Sequence, residues 1–99
     1  MARFDLYRAR RGPGYLLDIQ SHWLEGLPSR VIVPLLPPTA ALPVIRGLTP
    51  VFRIGDEEVA MMTHYLTAIP KRELGPVIGN LAARQDDITR ALDVLTKGF

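Results

Sequence analysis

A chain of 99 residues, 47% of them hydrophobic and 22% charged, can build one apolar core but not two, and its composition is that of a folded globule rather than a disordered segment. The formal charge of +2 leaves no broad electrostatic footprint for nucleic acid, because the basic excess is local, with Arg3, Arg8, Arg10 and Arg11 set against Asp5. With no cysteine, no signal-peptide core and no stretch near the roughly 20 apolar residues of a membrane span, the expectation is one domain over residues 1–99, cytoplasmic, without membrane contact, disulfides or thiolate metal sites.

Residues 3–8 alternate, with Phe4 and Leu6 on one face and Arg3, Asp5 and Tyr7 on the other, as a half-buried strand requires. The polar segment Arg10-Arg11-Gly12-Pro13-Gly14 turns the chain. Tyr15, Leu17 and Ile19 then alternate with Leu16, Asp18 and Gln20 as the second arm of a hairpin. Residues 21–29 read as a loop, although Trp23, Leu24 and Leu27 are apolar in a stretch closed by Gly26 and Pro28. Val31-Ile32-Val33 is β-branched and continuous, a central strand buried on both faces, with Pro34 marking an edge, a bulge or its end.

Residues 36–50 hold Pro37, Pro38, Pro43 and Pro50 with Arg46 as the one charge, which predicts irregular chain and a short strand near residues 42–45. Residues 51–54 and 58–62 flank the turn Gly55-Asp56-Glu57 as a further hairpin. Its second arm is expected to continue, bent, through residues 63–69 until Pro70 stops it. Beyond Pro76 the period changes from two to that of a helix, with Leu81, Ile88, Leu92 and Leu95 on one stripe. Asp86 and Arg90 are spaced for an i,i+4 pair, and Gly98 is a natural terminator.

Chemistry-bearing motifs are sparse. His22 and His64 have no ligand-spaced partners, so neither a metal nor another cofactor is expected, and both histidines read as solvent-facing or structural. Asp56-Glu57-Glu58 reads as a solvated turn. Ser21, Ser29 and Thr63 lack any nucleophile elbow or phosphate-binding loop around them. Of Met61 and Met62, at least one is expected in the core, the other there or at an interface. Trp23, the sole tryptophan, is either a binding anchor or packed over the mouth of the fold. Lys97-Gly98-Phe99 sets an aromatic side chain on a glycine hinge, where it acts as a clasp if it folds back and as an anchor if it stays out.

The ordered set Leu17-Asp18-Ile19-Gln20-Ser21, Arg30-Val31-Ile32-Val33-Pro34-Leu35, Leu48-x-Pro50-Val51-x-x-Ile54, Met61-Met62-Thr63, Ile69-Pro70 and Asp87-Ile88-x-x-Ala91-Leu92 resembles the CcdB toxin family along nearly the whole chain. The pairing of Asp-x-Gln-Ser with Arg-x-Val-Ile/Val-Pro-Leu is its most distinctive part. The resemblance implies a mainly β, CcdB/MazF-like fold: an SH3-like antiparallel barrel or sheet, a small additional sheet, a C-terminal α-helix and a homodimer. It further implies the toxin of a type II toxin–antitoxin pair, a poison and not a catalyst, which binds the DNA gyrase A protein and traps gyrase with cleaved DNA. A cognate CcdA-like antitoxin would neutralise it through a disordered tail, and operator DNA would be met only through that repressing complex.

Carried over position by position, the family's gyrase contacts fall on Ser21, Trp23, Leu24, Asp93, Lys97, Gly98 and Phe99. The best-known members end Trp-Gly-Ile, with the tryptophan stacking on gyrase. This chain has Lys97, keeps a glycine at Gly98 and has Phe99 for the isoleucine, and a lysine offers no comparable stacking face. Trp23 and Phe99 would then supply the aromatic anchors. Two further readings stay open: a MazF-like endoribonuclease using Arg30 and Thr63, against which the proline expected after that arginine is missing, and a divergent homologue that no longer acts on gyrase.

Overall fold

The computed structural model describes residues 2–39 and 42–98. Among them seven strands, β1 (Asp5–Arg8), β2 (Tyr15–Asp18), β3 (Ser29–Leu36), β4 (Val51–Ile54), β5 (Glu57–Met61), β6 (Thr67–Pro70) and β7 (Val77–Asn80), precede the helix α1 (Gln85–Lys97). These strands pair antiparallel and form a half-barrel with one C-terminal helix. Hydrogen bonding runs β4-β5-β3-β2-β1-β7, with β6 also on β3. A small additional sheet is therefore not separate among the described residues, because Leu35↔Met61 and Leu36↔Ala60 join the β4–β5 hairpin to β3.

The hairpin of β1 and β2 forms as its alternation predicts, with Leu6 opposite Leu17 and Tyr7 opposite Leu16. Gly14 closes it at φ +99°, and a Cβ there would collide with the carbonyl oxygen of Leu35, so only glycine lets β3 approach. One expectation fails here. The face that alternation assigns to solvent is buried too, Tyr7 at 0% and Asp5 at 9% exposure. Part of its polar content is paired inside the protein: Asn80 Nδ2 donates to Asp5 Oδ1 at 2.9 Å, and Asp18 and Arg30 face each other inside the sheet, while Tyr7 Oη has no hydrogen-bond partner among the described residues.

Strand β3 is longer than its β-branched centre, and Pro34 lies within it. One edge of β3 pairs with β2, while the other is shared, β6 taking Ser29 to Ile32 and β5 taking Leu35 and Leu36. Pro34 accepts from Met62 N–H at 2.9 Å, so its own nitrogen faces the junction between β5 and β6, where no ladder donor is required. The bend between those two strands is a 3-10 turn at Thr63–Tyr65, and β6 ends on Pro70 as expected.

Three further expectations are corrected. No strand forms at residues 42–45. Instead Thr49 Oγ1 accepts from Ile45 N–H at 2.6 Å and Thr49 N–H returns to Ile45 O at 2.9 Å, a closed turn that satisfies locally what a ladder would have satisfied. The segment after Pro76 is not helical at first, because Val77–Asn80 pairs with β1 across a bulge at Leu6/Tyr7. Leu81 consequently packs on the core from before the helix, and Ile88 and Ala91 are the buried residues of α1. Met61 and Met62 are both buried at 0% exposure, which removes the interface alternative for either. At the helix ends the ion pairs are Arg84–Asp87 and Lys97–Asp93, and no bridge joins Asp86 to Arg90 among the described residues.

Candidate target-binding surface

The segment Asp18-Ile19-Gln20-Ser21 is a bracket that carries an apolar turn out of the sheet. Asp18 Oδ1 accepts from Gln20 N–H at 2.9 Å, and Asp18 Oδ2 accepts from Arg30 Nε at 2.7 Å. Gln20, only 5% exposed, donates through Nε2 to Leu24 O at 2.8 Å and accepts through Oε1 from Val31 N–H at 2.8 Å. One side-chain amide thus clamps the turn to β3. Ser21 Oγ accepts from Trp23 N–H at 3.2 Å and Ser21 O from Leu24 N–H at 2.9 Å, capping a 3-10 turn at His22–Leu24.

That turn holds its apolar side chains away from the core. Trp23 is 84% exposed, stacked on His22 at 5.4 Å between ring centroids, with Leu24 at 48% and Leu27 at 45%. Packing of Trp23 over the mouth of the fold is overturned. Large apolar groups on a braced turn are the form of a protein contact, whereas the same groups on a loose loop would cost more ordering entropy on binding.

Under the bracket lies a buried charge cluster. Arg30 and Asp18 are both fully buried; Arg30 Nη2 lies 2.7 Å from Asp18 Oδ2, and Nη1 has no hydrogen-bond partner among the described residues. Burial pushes the Asp18 carboxyl above its ordinary range, against the Gln20 N–H and the Arg30 guanidinium, which pull it down. Tyr7 is raised as well, first by burial and then by the negative charges of Asp5 and Asp18.

The helix end supplies the second set of expected contacts. Lys97 Nζ lies 3.5 Å from Asp93 Oδ1, and Gly98, at φ +85°, donates its N–H to Asp93 O and Val94 O. Gly98 thereby ends α1 in the left-handed cap that its sequence position predicts. Asp93, Lys97 and Gly98 come together on this last turn, and Ser21, Trp23 and Leu24 come together on the bracket, but no hydrogen bond or ion pair joins the two groups among the described residues. Phe99 lies outside the described residues.

The geometry also bears on catalysis. Arg30 and Thr63, the pair considered for RNA cleavage, are both 0% exposed, and Thr63 Oγ1 donates to Leu48 O at 2.5 Å. Groups so enclosed cannot meet a phosphodiester. His22 and His64 are exposed beside aromatic neighbours, as expected of solvent-facing histidines. Sequence reasoning places Phe4 on the apolar face but misses its backbone: it is the one non-glycine residue described at positive φ, +71°, buried at the foot of the bracket with its N–H on Asp18 O. Alternation alone carries no sign of it.

An antiparallel half-barrel here braces an exposed aromatic turn over a buried polar network. A protein-family model described as CcdB protein matches residues 3–98, and the chain belongs to that family. CcdB proteins are the toxins of toxin–antitoxin pairs; they act on DNA gyrase as poisons and not as catalysts. No helix among the described residues is long and apolar enough to cross a membrane.

Proposed function

We propose that this protein, as a homodimer, binds the DNA gyrase A protein through the turn bearing Trp23 and Leu24 together with the helix end at Asp93, Lys97 and Gly98, followed by Phe99. It poisons the gyrase–DNA cleavage complex in the cytoplasm. A cognate CcdA-like antitoxin neutralises it, and the two together repress their operon, touching operator DNA only as that complex.

The observation that carries this reading is the 84% exposure of Trp23 on a turn clamped by Gln20. Lys97 is bound to Asp93 and presents an ammonium group, so the aromatic anchor falls to Trp23, with Phe99 as its companion. An isologous dimer displays each such element twice about one axis, which suits a symmetric target.

Calorimetry of the purified protein against a gyrase A fragment tests the reading, with Trp23→Ala and a Phe99 deletion alongside. Binding by the intact protein and its loss in either variant is the expected result. Absence of binding by the intact protein would point instead to a homologue that has left gyrase.

A further inference from the structure

We infer that Tyr7, Asp18 and Arg30 enclose a binding site for one ordered water molecule, which accepts hydrogen bonds from Tyr7 Oη and Arg30 Nη1 and donates to the Asp18 carboxylate. The site lies inside the sheet, and the inference does not rest on the gyrase reading.

Strand register places the three residues on one face. Leu16 stands opposite Tyr7 on β1 and Pro34 on β3, and Asp18 stands opposite Ile32. Side chains return to the same face every second residue, so Tyr7, Asp18 and Arg30 follow one another diagonally across β1, β2 and β3. Arg30 is near enough to Tyr7 for its charge to oppose the upward push of burial on the phenol. All three residues are 0% exposed.

This face has more donors than its own acceptors serve. Tyr7 Oη, Arg30 Nη1 and Arg30 Nη2 have no hydrogen-bond partner among the described residues, and of these Nη2 stands against a counter-charge, 2.7 Å from Asp18 Oδ2. The nearby carboxylates are engaged elsewhere. Asp5 takes Asn80 Nδ2 on Oδ1 and Ala2 N–H on Oδ2, while Asp18 takes Gln20 N–H on Oδ1 and Arg30 Nε on Oδ2. Donors left without acceptors forfeit the hydration they had in the unfolded chain, so folding favours carrying a solvent molecule in with them.

Charge and enclosure select the ligand. An added anion would share the face with two carboxylates, and an added cation would meet the guanidinium. A neutral molecule that both accepts and donates fits, and among fully enclosed side chains that molecule is water. Buried waters make about three hydrogen bonds each, the number supplied by Tyr7 Oη, Arg30 Nη1 and an Asp18 oxygen with acceptor sites to spare. Because Asp18 also holds Gln20, the water sits at the base of the turn bearing Trp23.

The test is a crystal structure of the full chain at a resolution that shows ordered solvent, with urea denaturation of Tyr7→Phe beside it. Expected is one solvent peak within about 3.2 Å of both Tyr7 Oη and Arg30 Nη1. The urea midpoint of Tyr7→Phe is expected to fall, because the substitution removes a bonded hydroxyl. An unchanged or raised midpoint would mean an orphaned hydroxyl whose removal relieves desolvation, and would overturn the proposal. Direct bonds from Tyr7 Oη or Arg30 Nη1 to protein acceptors in the crystal, or no peak shared by the two atoms, would overturn it as well.

Discussion

Arg30 lies wholly inside the protein with its Nε 2.7 Å from Oδ2 of Asp18, twelve residues earlier on the neighbouring strand. The two strands are in register there, Asp18 opposite Ile32, so the ion pair spans the sheet at the point where the turn bearing Trp23 departs. Desolvation makes such a pair costly to assemble and more costly to break, since removing one partner strands the other charge. Arg30→Ala is expected to destabilise the protein by about 3–5 kcal/mol, read from urea denaturation. A variant of unchanged stability would show that Asp18 is neutral in the native state and needs no partner.

The same cluster sets a pH dependence of unusual sign for a carboxylate. Burial raises Asp18 above its value of 3.8, so its contribution to stability is fully present below 3.8 and is lost as pH rises through the higher folded value. Asp18→Asn does not titrate at this position. The stability of the natural protein minus that of Asp18→Asn is therefore expected to shrink as pH is raised from below 3.8, measured as the difference in urea midpoint. Growth of that difference with pH would mean that attraction to Arg30 outweighs desolvation.

Gln20 clamps the turn by two bonds of 2.8 Å, to Leu24 O and from Val31 N–H. Gln20→Met keeps the bulk and removes both, exposing a carbonyl to water and leaving the Val31 donor partly enclosed. The expected cost is about 1–3 kcal/mol. Trp23 would also become more mobile, visible as lower steady-state fluorescence anisotropy, whereas anisotropy at the natural level would assign the bracing to Ser21 alone.

Trp23 itself contributes almost nothing to the fold. At 84% exposure, Trp23→Ala is expected to change stability by no more than about 0.5 kcal/mol. Its loss should nonetheless weaken gyrase A binding by about 2 kcal/mol or more, as truncation of a buried interface aromatic does. A large drop in thermal stability would instead place the indole against this chain's own dimer partner.

Much of this architecture was visible in residue order. Alternation in Tyr15–Asp18, the Gly55-Asp56 turn and Pro70 at the end of β6 are local signals, and each holds. The strand Val77–Asn80 was not visible. Four residues with one glycine carry too little periodicity, and β1 supplies the hydrogen bonds that make them a strand. Of the surface assigned by resemblance, Ser21, Trp23 and Leu24 do share one turn and Asp93, Lys97 and Gly98 share another, while Phe99 lies outside the described residues.

The sequence by itself determined family membership and the run of hairpins into a terminal helix, because hydrophobic period, turn residues and motif order are properties of neighbours along the chain. Only the tertiary structure decided which polar groups would be enclosed and which apolar ones left in water. Asp18, Gln20 and Arg30 are buried because strands brought together from distant positions bond them to one another and to the backbone, and Trp23 is exposed because that same network uses its bonds to hold the turn away from the core.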